Sequence, residues 1–245
     1  MTSVRTPGVL CFMNNSDKIW RICLGLALIL GAIGLYIVFA MSPDDHQQGS
    51  LVKIMYIHVP ISWLSVMIWV VMSIASLISL VWRSQLADIT AKAAAPLGAS
   101  FTFLSIATGS IWGRPVWGTW WQWDARLTSV LILFIMYLGV MSLWNRIEDH
   151  TKAGRVIAIF TLVGALNIPI IKFSVYWWNT LHQPPSVLRV GGPTMDSSML
   201  QPLLIMALSF TCLFLCLHVA TMRNEILKRD LLALTAARDT RVDEA

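Results

Sequence analysis

The chain has 245 residues, of which 56% are hydrophobic and 13% are charged, and its formal net charge is +5. Soluble domains contain about 25% charged residues, so a chain this apolar could not cover its hydrophobic surface in water. The composition therefore excludes a soluble enzyme, a disulfide-stabilised secreted domain and a disordered protein. It indicates an all-α, polytopic membrane protein, because helices satisfy their own backbone hydrogen bonds in lipid.

Six apolar stretches are long enough to cross a hydrocarbon core of about 30 Å. The first follows a basic segment, as in a signal peptide, but it exceeds the usual apolar core of about 7–15 residues, so we expect it to remain as an anchor. The fifth contains Lys172, whose long side chain could reach the membrane interface. In chain order the predicted spans are Ile22–Ala40, Pro60–Trp82, Ala93–Trp112, Leu127–Trp144, Val156–Trp178 and Leu200–Met222.

Positive charges are divided unevenly between the two sides of these spans. If both termini lie on the same inner side, thirteen of the 18 Lys and Arg residues are inner and five are outer. Lys and Arg concentrate in cytoplasmic segments, so we expect cytoplasmic termini, and the net charge requires no nucleic-acid partner. The chain is thus predicted to be a single six-helix membrane domain (1–245) with an outer tryptophan-rich loop (113–129) and a cytoplasmic tail (223–245).

Tryptophan is concentrated in the second outer loop. Five of the twelve residues from 112 to 123 are Trp, namely Trp112, Trp117, Trp120, Trp121 and Trp123. An interfacial aromatic belt would spread its indoles over all the loops and both faces; Trp20, Trp82 and Trp144 lie at inner edges as a belt predicts, but the cluster does not fit that pattern. The spacings of three and four residues within the cluster would let one helical turn present two indole faces. Such a surface suits a large, flat, apolar ligand.

Two of the five histidines flank this loop at the predicted outer edge. His58 immediately precedes Val59 and Pro60, where the second span is expected to start. His182 follows Trp177 and Trp178 and is separated from Trp178 by one helical turn, so that we expect the two to share a face. The other three histidines have polar or packing environments: His46, His150 and His218.

Two imidazoles at one depth beside an aromatic surface indicate a metal macrocycle. Haem takes two axial ligands on opposite faces and an apolar surround. Asp124 could orient a neighbouring arginine or histidine. A bare zinc or copper site would leave the tryptophans unexplained. Cations that could meet haem propionates are present on the outer side: Lys53, Arg114, Arg126 and Arg189.

Four segments carry a family resemblance. Trp117-Gly-Thr-Trp-Trp-Gln-Trp-Asp-Ala-Arg-Leu-Thr-Ser129 resembles the WWD signature of haem-handling membrane proteins. Ile54-Met-Tyr-Ile-His-Val-Pro60, Asn167-Ile-Pro-Ile-Ile171 and Trp177-Trp-Asn-Thr-Leu-His-Gln183 narrow the resemblance to the cytochrome c maturation protein C family, the haem exporter C proteins of bacterial inner membranes. The resemblance covers roughly residues 18–225. The pair Pro184–Pro185 has no counterpart in the family motif.

The resemblance implies that the protein is not an enzyme but a carrier of haem b, which is held non-covalently at the periplasmic face. It implies His58 and His182 as the axial ligands of the iron. The partners it implies are a membrane-tethered periplasmic haem chaperone, which attaches haem covalently through a histidine, an ABC-type ATPase and permease, and a small single-span subunit. The residues it implies around the haem are Trp112, Trp117, Trp120, Trp121, Trp123, Asp124, Arg126, Trp177 and Trp178.

Three other functions remain open on the residues alone. A b-type quinol oxidoreductase also uses histidine pairs, but often buries its haem between helices at depth. A solute permease would use the tryptophan loop as a gate and would bind no haem. A pure assembly scaffold would bind no ligand. The sequence contains no G-x-x-x-x-G-K-[ST] phosphate loop and no C-x-x-C-H haem-attachment site, so it neither hydrolyses ATP through a P-loop nor is itself a c-type cytochrome.

Overall fold

The computed structural model of the protein describes residues 6–243, and the side chains of residues 6–239. Within this range the chain is helical, and its extended backbone pairing is limited to one isolated bridge between Asp45 and Gly49. A short 3-10 helix (Ser50–Ile54) precedes the second α-helix. The α-helices are α1 (Pro7–Ala40), α2 (Met55–Trp82), α3 (Gln85–Trp117), α4 (Ala125–Arg146), α5 (His150–Gly164), α6 (Asn167–Trp177) and α7 (Ser197–Asp243).

The prediction of an all-α protein with six membrane spans is confirmed. Six helical stretches are long and apolar enough to cross a membrane, and the fifth of them consists of α5 and α6 together. Because the number of spans is even, both ends of the described chain lie on one side. The connections at 41–54, 118–124 and 178–196 lie on the other side, which we call the outer rim.

Most helices extend beyond the apolar stretches that predict them. Helix α1 starts at Pro7, whose fixed φ suits a first turn. Helix α3 starts after Ser84, whose hydroxyl accepts a hydrogen bond from the Ala87 N–H. Helix α7 continues without interruption from the last span into the charged tail. Hydropathy marks the part of a helix that lies in lipid, and these helices continue where the surroundings are polar.

The fifth span is not one continuous helix, as Val156–Trp178 predicts, but is broken at residues 165 and 166. Pro169 has no N–H to donate to the carbonyl of Ala165, and the Ile168 N–H bonds to that carbonyl instead, at 3.1 Å. The buried Asn167 amide donates to the Ser129 carbonyl on α4, at 2.8 Å. This contact fixes the start of α6, and the exposed Lys172 lies further along the same helix.

The core of the bundle is centred on an aromatic pair between α2 and α4. The rings of Trp69 and Tyr137 meet edge to face with their centroids 4.8 Å apart. The Trp69 indole donates to the Thr161 carbonyl on α5, at 3.1 Å, and the Tyr137 hydroxyl donates to the Ser65 carbonyl on α2, at 2.8 Å. A Cβ on Gly98 of α3 would lie 2.0 Å from the Tyr137 ring, so this ring fixes how closely α3 approaches α4.

Candidate functional site

His58 belongs to the first turns of α2, because the helix starts at Met55 and not at Pro60, the predicted start of the span. Its Nδ1 lies 3.0 Å from the Thr108 hydroxyl on α3. Its ring meets that of Trp112 at a steep angle, with the centroids 5.7 Å apart. A Cβ at position 109 would come within 2.9 Å of the imidazole, so Gly109 makes room for this close approach of α2 and α3.

The hydrogen bonds around His58 assign its tautomer. The Thr108 hydroxyl donates to the Leu104 carbonyl at 2.7 Å, so its oxygen accepts the proton of His58 Nδ1. The Ser62 hydroxyl lies 3.4 Å from Nε2, but it donates to the carbonyl of His58 itself at 2.7 Å. Nε2 therefore carries a lone pair that no protein proton occupies, as a metal ligand requires.

His182 lies in the loop that follows α6. The expectation that Trp178 and His182 share a helical face is wrong, because α6 ends at Trp177 and Trp178 is extended, with φ −137° and ψ 158°. The loop is held instead by the Thr180 hydroxyl, which accepts from the His182 N–H at 3.1 Å. The His182 ring packs edge-on against Trp117, the last residue of α3, with the centroids 4.9 Å apart.

Asp124 connects two of the three loops of the outer rim, those at 118–124 and 178–196. It caps α4 by accepting from the Leu127 N–H at 2.7 Å. Its other oxygen accepts from the Leu181 N–H at 3.3 Å and lies 3.6 Å from His182 Nδ1. That Nδ1 is buried and has no hydrogen-bond partner in the described part of the chain. The Asp124 carboxylate therefore faces His182 Nδ1 at a distance longer than a hydrogen bond.

Burial lowers the pKa of His182, and the nearby Arg126 guanidinium lowers it further, whereas the Asp124 carboxylate opposes this shift only in part. The ring is therefore neutral at neutral pH, which is the form that binds a metal ion. His58 and His182 are also close enough for their charges to interact. They pack on Trp112 and Trp117 respectively, so both lie at the same end of α3.

The tryptophan-rich loop does not form the helical turn that its spacing predicts. Gly118 adopts φ +76° and ends α3, and residues 118–124 run without regular structure to the start of α4. A glycine in the left-handed conformation is a common helix C-cap. The Arg114 guanidinium reinforces this turn by donating to the Gly118 carbonyl at 2.8 Å.

As a result, the tryptophans divide into two groups. Trp112 and Trp117 belong to α3, where they contact the histidines, and the Trp112 indole donates to the Gln48 side chain at 2.8 Å. Trp120 and Trp123 are 59% and 74% exposed. Trp121 packs edge-on against Trp123, and its indole N–H is buried without an acceptor among the described residues. The first group forms a wall, and the second forms a surface that faces outward.

Trp177 and Trp178 are not brought against the histidines. They pack against each other with the centroids 5.7 Å apart, and Trp177 stacks on Phe173. Both tryptophans are about half exposed, so they extend the outward-facing aromatic surface. Arg126, in contrast, is partly buried and reaches α6 through long contacts of 3.4 Å to the Ser174 hydroxyl and 3.5 Å to the Ile171 carbonyl.

The sequence did not predict which residues surround His58. Thr108 and Gly109 were not singled out, and neither was Gln48, which holds Trp112. One signal was available: Thr108 precedes Trp112 by four residues, so a helix through both places them on one face. Of the other predicted propionate partners, Lys53 forms an ion pair with Asp44 at 3.6 Å, and Arg114 donates to the Gly118 carbonyl.

Comparison with known proteins agrees with the resemblance seen in the motifs. Residues 4–237 match the family model described as heme exporter protein C. The chain is 63% identical to heme exporter protein C of Bradyrhizobium diazoefficiens over 215 residues, which is 88% of this chain and 81% of that protein. It is 42% identical to the Haemophilus influenzae protein of the same name over 205 residues (84% and 83% of the two chains). It is 43% identical to the Escherichia coli K12 protein of that name over 201 residues (82% and 81%). The chain therefore belongs to the heme exporter protein C family.

Proposed function

We propose that this protein holds haem b between His58 and His182 at the periplasmic face of the bacterial inner membrane and delivers it to a membrane-tethered haem chaperone. Membership of the family gives the chain a role in haem export for cytochrome c biogenesis. The haem is cargo in this role, so it has to be bound by exchangeable contacts. Delivery requires no catalytic residue of this chain.

One observation carries the proposal: the Nδ1 atom of each imidazole lies near a protein oxygen. His58 Nδ1 donates to the Thr108 hydroxyl at 3.0 Å, and His182 Nδ1 lies 3.6 Å from the Asp124 carboxylate. Metal-binding histidines are typically oriented in this way, by an oxygen that takes the proton of the nitrogen opposite the metal. The donor set fits haem iron, which takes two imidazole ligands.

The surroundings of the two rings fit a flat apolar cargo. Trp112 and Trp117 back the histidines, and Trp120 and Trp123 offer exposed indole faces beside them. The weak contacts of Arg126 leave guanidinium protons available to a carboxylate such as a haem propionate. An open aromatic rim would leave one edge of the ring accessible to the chaperone.

The distribution of charge and the family support the proposed sidedness and partners. The protein is a multi-pass membrane protein, and the excess of Lys and Arg on the side of the termini supports a periplasmic position for the histidines at the inner membrane. Family membership supports an ABC-type ATPase and permease as partners, which fits the absence of a phosphate-binding loop from this sequence. A small single-span subunit completes the proposed assembly.

Absorption spectroscopy of the purified protein tests the axial assignment. We expect His58→Ala and His182→Ala each to lose most of the Soret absorbance per protein, because each removes one of the two ligands. His46→Ala is the matched control, since His46 is exposed on the same side of the membrane and should leave the spectrum unchanged. Wild-type haem content in both of the first two variants would refute the assignment.

A further inference from the structure

A cleft lies at the end of the bundle opposite the histidine site, on the side where the described chain begins and ends. Helix α3 packs against both α4 and α7, and the cleft lies between these two helices with α3 as its floor. It has a volume of about 280 Å³ and is lined by Lys92 and Pro96 of α3, Met141 and Trp144 of α4, and the 221–228 segment of α7. Along α3 it is about 30 Å from Trp112, at about 1.5 Å per residue. It is therefore separate from the histidine site.

The charges in the ion-pair network beside the cleft cancel. Lys92 donates to Glu225 at 2.7 Å and lies 4.6 Å from the centroid of the Trp144 ring. Arg229 bonds to the same Glu225 oxygen at 2.7 Å and to Asp88 at 2.8 Å. Two cations thus meet two carboxylates, and this network contributes no net charge to the cleft.

The rim of the cleft has donors that this network does not use. Lys228, Asn224 and Asn145 line it and are exposed. The ion pairs found at this end of the described chain leave Lys228 without a carboxylate. The rim thus offers one uncompensated positive charge and two amide groups. Below it the walls are apolar, at Ala93, Pro96 and Met141.

We propose that this cleft binds the head group of an anionic phospholipid of the cytoplasmic leaflet. A phosphodiester carries one negative charge, which matches Lys228, and its oxygens accept hydrogen bonds from the two asparagines. The apolar walls suit the first segment of an acyl chain. Basic pockets between helices on the cytoplasmic side are typical sites for such head groups.

The volume of the cleft, about 280 Å³, is that of a small binding pocket. Small-molecule pockets start at about 300 Å³, so the cleft is close to the size that holds a head group. A lipid seated here would connect Asn145 on α4 with Asn224 and Lys228 on α7.

Native mass spectrometry of the full chain tests the proposal. The protein is released from vesicles of phosphatidylcholine with or without phosphatidylglycerol, and the retained lipids are counted. We expect Lys228→Gln to reduce retained phosphatidylglycerol about fivefold, which corresponds to ~1 kcal/mol per surface lysine. Asn224→Ala, which keeps the charge, should reduce it less. The matched control is Lys152→Gln, because Lys152 is at the same end, 79% exposed and outside the cleft.

Several results would overturn the proposal. Equal losses in the Lys228 and Lys152 variants would show general surface charge and no site. Equal retention of phosphatidylcholine and phosphatidylglycerol would exclude recognition of an anionic head group. Displacement of the lipid by inorganic phosphate alone would indicate a free-anion site. Unaltered thermal unfolding of the Lys228 variant confirms that any loss reflects binding, since this side chain is exposed.

Discussion

If His58 binds the haem iron as proposed, its tautomer makes the hydroxyl of Thr108 a determinant of haem affinity. Thr108→Val keeps the shape of the side chain and removes the acceptor that lies 3.0 Å from His58 Nδ1. The ring then loses this acceptor, so that its Nδ1 proton is held less firmly or moves to Nε2, where it would block the iron. We therefore expect weaker haem binding by a protein that folds normally.

The size of the effect follows from the contact that is lost. A partly buried donor without a partner costs about 1–3 kcal/mol, and each 1.4 kcal/mol is about a factor of ten in affinity. Substitutions of residues that orient metal-binding histidines typically weaken binding by about 10–100-fold. We expect the haem affinity of Thr108→Val to fall within this range.

Titration of haem-free protein in detergent, followed at the Soret band, measures this affinity. Thr108→Ser restores the hydroxyl and should recover most of the binding. Thr102→Val is the control, because Thr102 is on the same helix and donates to a backbone carbonyl in the same manner, at 2.7 Å from the Gly98 oxygen. If Thr108→Val and Thr102→Val bind haem equally well, Thr108 does not orient the ligand and the tautomer assignment is wrong.

Two further predictions concern pH and packing. Burial lowers the pKa of His182 below its ordinary 6.5, so haem binding should stay constant from about pH 8 to about pH 6.5 and decline at lower pH. As the pH falls, His182 is protonated in the unfolded chain before it is protonated in the folded one. The stability of the haem-free fold should therefore also fall below about pH 6.5. A Soret titration with a midpoint above about pH 7 would contradict the lowered pKa. Gly98→Ala would place a Cβ 2.0 Å from the Tyr137 ring, and we expect it to destabilise the protein by about 1–3 kcal/mol. In thermal unfolding it should melt below Gly25→Ala, where no atom lies within 4 Å of the new Cβ, and equal melting of the two would contradict the packing described for the core.

The six spans could be predicted because lipid imposes one requirement on a long run of residues. The ends of the helices could not be predicted in this way, since α1 and α7 continue into polar surroundings, where hydropathy gives no information. The break in the fifth span had a visible cause in Pro169. Its position depends, however, on the contact of Asn167 with the Ser129 carbonyl, which is formed only in the folded bundle.

In the candidate site, too, some residues could be predicted from the sequence and others could not. His58, His182 and Asp124 could be singled out because their residue types and positions at predicted span ends suggest chemistry. Thr108 has an ordinary hydroxyl in an apolar helix, and it becomes a partner of His58 only when α2 and α3 pack together. The ion pair of Lys92 with Glu225 joins residues that are far apart in the chain, and no local sequence pattern predicts it.

The interruption between α5 and α6 has a mechanical consequence for the outer rim. An unbroken helix passes a displacement along its hydrogen-bond ladder, whereas here the ladder is reduced to turn bonds such as those of Leu166 to Val163 and of Ile168 to Ala165. The segment that carries His182 is therefore braced laterally by α4, through Asn167 and Arg126. A displacement at the start of α5 would therefore reach the segment that carries His182 less directly than along an unbroken helix.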